Sequence, residues 1–210
     1  DDKNKEEKIE GLNLKEAMKE RSFYILGAMW FGMAMLITTL HFYQVTILTS
    51  QGITSDFAAG IFSISAISMV LFMPFVGKLF DNCPTRYVLA LGLTINSISL
   101  LSITFVNNEF YAVLYAIIFG VNNAISMTMF GYIWPRYFGR KHIGSIQGTG
   151  QMIGVVGASL GPLPVGFAID YIGNSLMTIR YLSLYPIIIA IITILFLKTP
   201  SSLSINKKLE

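Results

Sequence analysis

Long apolar runs, almost free of charge, alternate along this chain with short polar connections. Six of the runs reach or approach the roughly 20 helical residues needed to cross a hydrocarbon core: Phe23–Leu48, Phe57–Val76, Tyr87–Val106, Phe110–Trp134, Ile143–Ile169 and Tyr181–Leu197. The sixth run is short. The fifth is rich in glycine and reads as a tilted helix.

The ends have a different pattern. Residues Asp1–Glu10 are a mixed-charge, apolar-poor stretch of the kind that stays disordered. Asn13-Leu14-Lys15-Glu16 then reads as an N-cap with a glutamate three residues on, opening a short helix that leads into the first run. This gives three parts: a linker with a juxtamembrane helix over 1–20, a six-span bundle over 21–198, and a polar tail over 199–210. Opening on linker chemistry reads as a piece of something longer, with a complete small protein as the alternative.

Composition agrees with the spans. Hydrophobic residues make up 53% of the chain and charged ones 13%, against about 25% charged in a soluble domain. Six spans with short connections return both termini to one side, where 14 of the 15 Lys and Arg residues fall. Only Arg180 lies on the other. Basic residues in short loops mark the cytoplasmic face, so both termini are expected there, in a plasma or inner membrane. The net charge of +3 therefore reflects topology, and no basic surface interleaved with aromatics points to nucleic acid. Cys83, alone, excludes an internal disulfide or a cysteine metal site.

One short pattern occurs twice. Gly77-Lys78-Leu79-Phe80-Asp81 and Gly166-Phe167-Ala168-Ile169-Asp170 each end an apolar span, 89 positions apart, with Pro74 upstream of one and Pro162 and Pro164 upstream of the other. Two triplets of similar spans follow from that offset. Because three is odd, the second triplet starts on the opposite side of the membrane. The expected fold is an all-α membrane protein, six transmembrane helices built as an inverted 3+3 repeat. Such repeats place a substrate path at their interface. Gly-x-x-x-Asp is a cheap pattern, but the matched lengths and prolines favour a repeat over chance.

Polar groups inside a membrane are costly and carry a functional reading by default. In the first span, Thr38, His41 and Gln44 follow each other at intervals of three and share roughly one helix face. His41 is a candidate to hold solute or to exchange a coupling proton; a neutral histidine bonded to a neighbouring helix, or sitting among the headgroups, is the alternative. In the fourth span, Asn122, Asn123 and Ser126 cluster near the midplane, either lining a cavity or bonding helix to helix. Gln147 and Gln151 share a face of the fifth span, whose small residues suit close packing, and Gln151 is the candidate solute contact. Ser63, Ser65 and Ser68 read as packing residues that satisfy themselves on their own helix.

Other chemistries are poorly served. His41 is the only intramembrane base, and no acid is placed to orient it beside a nucleophile. No His, Cys, Asp and Glu set has metal-ligand spacing, and no glycine-rich turn cradles phosphate. A channel would show filter segments or charged rings, and neither is present. No cofactor is expected.

Gly77-Lys78-Leu79-Phe80-Asp81-Asn82-Cys83-Pro84-Thr85-Arg86 resembles the loop signature of the major facilitator superfamily, and the resemblance extends over the chain from Leu12 onward. It implies the second six-helix half of a twelve-helix secondary transporter, partnered by a complementary N-terminal half in the lipid bilayer. More narrowly, Leu14-Lys15-Glu16-Ala17 before Phe23, and Tyr137-Phe138-Gly139-Arg140-Lys141-His142-Ile143-Gly144-Ser145-Ile146-Gln147-Gly148, are similar to the monocarboxylate-porter and oxalate/formate-antiporter branch. Anion-carrying members of that branch use a basic side chain on the second or fifth span of this half, and none stands there in this sequence. By the same resemblance Gly77, Asp81 and Arg86 form a cytoplasmic gate. The residues themselves allow Asp81 to pair with Arg86 or with Arg136. The function expected is transport of a small organic solute, a carboxylate among the candidates; the alternative is a non-transporting six-span scaffold.

Overall fold

The computed structural model describes residues 11–173 and 175–198; the polar linker residues 1–10 and the tail 199–210 lie outside them. Among the described residues all regular structure is helical. After α1 (Leu14–Ala17) come α2 (Arg21–Ser50), α3 (Ser55–Asn82), α4 (Thr85–Ile103) and α5 (Glu109–Phe138), four unbroken spans. The fifth span, Ile143–Tyr171, is segmented. It runs as α6 (Ile143–Leu160), α7 (Pro162–Phe167) and a π-helical turn over Ala168–Ile172. Pro162 and Pro164 interrupt its ladder of backbone bonds, because proline has no N–H to donate. The sixth, Ser175–Phe196, is divided at Ser183 into α8 (Ser175–Leu182) and α9 (Leu184–Phe196).

All span ends but Ile143 differ from the hydrophobic pattern, most by one or two residues; the third span stops at Ile103, three residues short of Val106, and three others shift further. The second span continues through Asn82, so Gly77–Asp81 forms its last turns and not a loop. The fourth continues to Phe138, which puts Arg136 on the helix. The sixth starts at Ser175, six residues before the expected start at Tyr181, so Arg180 is helical too; it stops at Phe196, one residue short of Leu197. Charged and polar residues at span ends lower local hydropathy while the backbone, which still needs its hydrogen bonds, stays helical.

The two triplets match in length and in partners. α2 and α5 are both 30 residues, with ends displaced by 88 positions; α3 has 28 and the fifth span 29. The tightest pairings are α3 with α5, α2 with α6, and α4 with α9. Exchanging first with fourth, second with fifth and third with sixth span turns the first pairing into the second and returns the third to itself. An inverted repeat requires this result.

Small residues close both of the equivalent interfaces. A Cβ on Gly120 of α5 would strike the Ser65 carbonyl and the Ser68 side chain of α3, and one on Gly157 of α6 would strike the Phe31 carbonyl of α2. Ser68 donates across to the Ile117 carbonyl at 2.9 Å, whereas Ser65 satisfies itself on Ile61. On the α2–α6 side, Thr39 donates to the Gly161 carbonyl at 2.7 Å.

Most described Lys and Arg residues, including Lys15, Arg21, Lys78, Arg86, Arg136, Arg140, Lys141 and Lys198, stand at one end of the bundle, called here the basic end; Arg180 is at the opposite end. At the basic end α1 has the capping box its sequence announces, with Asn13 and Glu16 each bonding the other's backbone N–H at 3.0 and 2.8 Å. Just before it, Leu12 N–H donates to the Phe138 carbonyl at 2.9 Å, pinning the chain to the turn after α5. Gly139 makes that turn at φ 78°, a left-handed conformation suited to glycine.

Candidate functional site

His41 projects from α2 on an exposed stretch between α3 and α5. Its ring lies 4.7 Å from Phe119 and 6.3 Å, nearly parallel, from Phe62. Nδ1 stands 2.9 Å from the Ile37 carbonyl. A carbonyl only accepts, so the neutral ring carries its proton on Nδ1 and presents the Nε2 lone pair outward.

Gln44 does not share that setting. Three residues turn a helix by 300°, so Gln44 points 60° away from His41. It is fully buried, accepting from the Tyr115 hydroxyl at 2.9 Å. Asn122 is likewise buried. Its Oδ1 accepts from Asn96 of α4 at 3.3 Å, leaving Asn96 Oδ1 and Asn122 Nδ2 without partners. Those two orphans are the donor and acceptor of a reciprocal second bond, so the pair is one step from a closed amide dimer. Of the two adjacent asparagines, Asn122 is therefore helix-to-helix glue. Asn123 is half-buried and bonds the Phe119 carbonyl of its own helix at 3.0 Å, next to the ring that contacts His41. Ser126 is 8% exposed and Gln151 is open.

Height along the helices separates these groups. Counting about 1.5 Å per residue from the basic end, His41 stands about 30 Å up, Asn123 about 22 Å, Ser126 about 18 Å and Gln151 about 12 Å. A small solute cannot touch His41 and Gln151 together. The expected single cluster is instead a descending series of polar positions. At about the level of Gln151, Trp30 of α2 packs on Phe130 of α5 at 4.7 Å.

Below that layer lies the end of α3. Asp81 Oδ1 accepts from the Tyr132 hydroxyl at 3.1 Å and stands 3.8 Å from Arg136 Nη2, both on α5. Arg136 Nη1 donates to the Phe80 carbonyl at 2.6 Å and to the Thr85 hydroxyl at 3.0 Å. Its guanidinium also covers the Tyr132 ring at 5.0 Å, which in turn stacks on Phe80. One arginine thus holds the last turn of α3, the first residue of α4 and its own helix. Arg86, the other partner considered for Asp81, turns to the hydroxyl and ring of Tyr87. Gly77 faces open space.

The second motif is built differently. Displacing Arg136 by 88 positions, the offset of the helix ends, or by 89, the offset of the two motifs, gives Leu48 or Ile47, so the image of the clamp has no cation. Asp170 is exposed in the π-helical turn, and Arg180 bonds Thr104 and Phe105 rather than Asp170.

The family model described as Major Facilitator Superfamily matches residues 18–210. The chain belongs to that superfamily. Its members are secondary transporters rather than enzymes, and the six long apolar helices make this chain an integral membrane protein of that class. No curated protein matches it.

Within this facilitator chain, several residues went unread in the sequence. Tyr132 precedes Arg136 by four, the helical interval that puts two side chains on one face, and that spacing was a usable signal. Asn96 was a further intramembrane amide. Phe62, Phe119 and Tyr115 carry no such mark, since aromatics fill every span.

Proposed function

We propose that this bundle is the C-terminal six-span half of a facilitator that moves a small organic solute by alternating access against a complementary half. The solute passes His41, Asn123 and Ser126 and reaches the level of Gln151. The Trp30–Phe130 layer and the Asp81–Tyr132–Arg136 clamp close the basic end, which is cytoplasmic by the positive-inside rule. Gln44 and Asn122 hold the helices that carry this path.

The observation that carries the reading is the pairing of the spans. α3, the fifth span and the sixth span are buried over only 22%, 28% and 28% of their most apolar stretches, and of these α3 and the fifth are the pair that the repeat exchanges. Gly60 of α3 and Gly148 of α6 are images at the repeat offset, and both face open space. Small residues on unpacked faces are what close approach of another helix in lipid requires. The second half fits against this pair of faces. Lys78, in the last turns of α3, stands at the basic end; at the depth of the solute path neither span has a basic side chain, which leaves His41, when protonated, as the cation for an acidic solute on this half.

Uptake into vesicles tests the proposal. Co-reconstitution with the complementary half is expected to give uptake of a small organic acid that the bundle alone does not. Stable pairing with no uptake of any organic solute would make the protein a scaffold.

A further inference from the structure

Among the described residues Arg180 is the one basic side chain at the end of the bundle opposite the basic end, and the structure holds it in place. It lies about 8 Å into the sixth span, counting 1.5 Å per residue from Ser175. Nε donates to the Thr104 hydroxyl at 3.2 Å, just past the end of α4, and the guanidinium covers the Phe105 ring at 4.9 Å. The Thr104 hydroxyl spends its proton on the Leu101 carbonyl, so its lone pair is free to receive Nε. Nη1 and Nη2 are not used by these contacts. Among the described residues Arg180 is in no ion pair, although Asp170 lies at the same end of the bundle.

Beside it lies an open, shallow cavity of about 310 Å³, lined by four residues of α8: Leu176, Met177, Arg180 and Tyr181. Tyr181 in its lining and Phe105 under the guanidinium are 63% and 62% exposed. Exposed aromatics of this kind settle at the headgroup level of a bilayer. An arginine placed there, with an apolar floor and two unspent N–H bearing nitrogens, meets chiefly one anion: the phosphate of a lipid. A planar guanidinium suits phosphate in a two-pronged contact, and the apolar floor accommodates the start of an acyl chain.

We propose that Arg180 and this cavity bind the phosphate of an anionic phospholipid in the leaflet opposite the basic end. The lipid bridges the outer ends of the third and sixth spans, the pair that the repeat exchange maps onto itself. The site is separate from the solute path and from the clamp.

Native mass spectrometry of the intact transporter, released from bilayers of equal phosphatidylglycerol and phosphatidylcholine, tests this. The wild type is expected to retain phosphatidylglycerol preferentially, and Arg180→Gln to lose roughly tenfold of that retention, the scale of a charge-assisted bond. Thr104→Val cuts the tether but leaves the charge, and is expected to keep most of the bound lipid. Equal retention of the two lipids by the wild type, or of phosphatidylglycerol by wild type and Arg180→Gln, would overturn the proposal. So would equal loss in Arg180→Gln and Thr104→Val, which would reduce Arg180 to a structural tether.

Discussion

The guanidinium of Arg136 stands 3.8 Å from the carboxylate of Asp81, across the joint between α5 and α3, with the Tyr132 hydroxyl closing the third side. Asp81 is 59% exposed and Arg136 18%. An ion pair with one partner in water contributes roughly 0–1 kcal/mol, so this contact is too weak to hold the bundle together. It is well sized to bias a conformational equilibrium, where about 1 kcal/mol changes the ratio of two states roughly fivefold.

Asp81→Asn is therefore expected to leave insertion and thermal stability close to wild type while lowering transport several-fold. Thermal unfolding in detergent, alongside initial uptake rates, checks both halves of the statement. Unchanged transport would remove the clamp from the gate.

Arg136 behaves differently because three acceptors depend on it. Arg136→Ala strands the Phe80 carbonyl and the Thr85 hydroxyl and takes the cation from Asp81, which keeps Tyr132 and water, with an expected cost of about 2 kcal/mol. Arg136→Lys restores the charge without the fork that reaches Phe80 and Thr85 together. It is expected to recover less than half of the lost transport. Full recovery by lysine would mean that charge alone matters.

Much of the bundle was legible because the signals are collective. Spans of about twenty mostly apolar residues, the bias of Lys and Arg to one face, and the offset between Gly77–Asp81 and Gly166–Asp170 each survive errors at single positions. Span ends were less legible. Asp81, Arg136 and Arg180 depress local hydropathy although the helices run through them. The site was legible only as residue types. His41 and Gln44 sit three apart in sequence, yet a 60° rotation puts one on an open face and the other against Tyr115. Height was the second blind spot, since Gln151 and His41 lie on spans that enter from the same end but at different depths.

The two glycines Gly120 and Gly77 separate packing within the half from packing between halves. Gly120→Val would drive a side chain into Ser65 and Ser68 of α3 and is expected to destabilise the bundle by about 1–3 kcal/mol. Gly77→Ala meets nothing within 4 Å. It is expected to leave stability unchanged or up to about 1 kcal/mol higher through helix propensity, and to slow transport once the second half closes on it. Uptake at wild-type rate with Gly77→Ala would place Gly77 outside the closing surface.

Asn96 and Asn122 form a closed test of the glue reading. Asn122→Leu leaves the Asn96 amide buried without a partner and is expected to cost about 1–2 kcal/mol. The double variant Asn96→Leu/Asn122→Leu removes both amides and is expected to regain part of that loss. Additive losses in a double-mutant cycle would show that the two amides do not interact.

His41 tests the whole account most directly, because alternating access requires one position to be reached from both sides in turn. In the intact transporter with Cys83→Ser, His41→Cys is labelled with a membrane-impermeant thiol reagent applied to each face separately. The account predicts labelling from both faces, with Asp81→Asn shifting the balance toward entry from the basic end. Labelling from one face only, unaffected by Asp81→Asn, would contradict it.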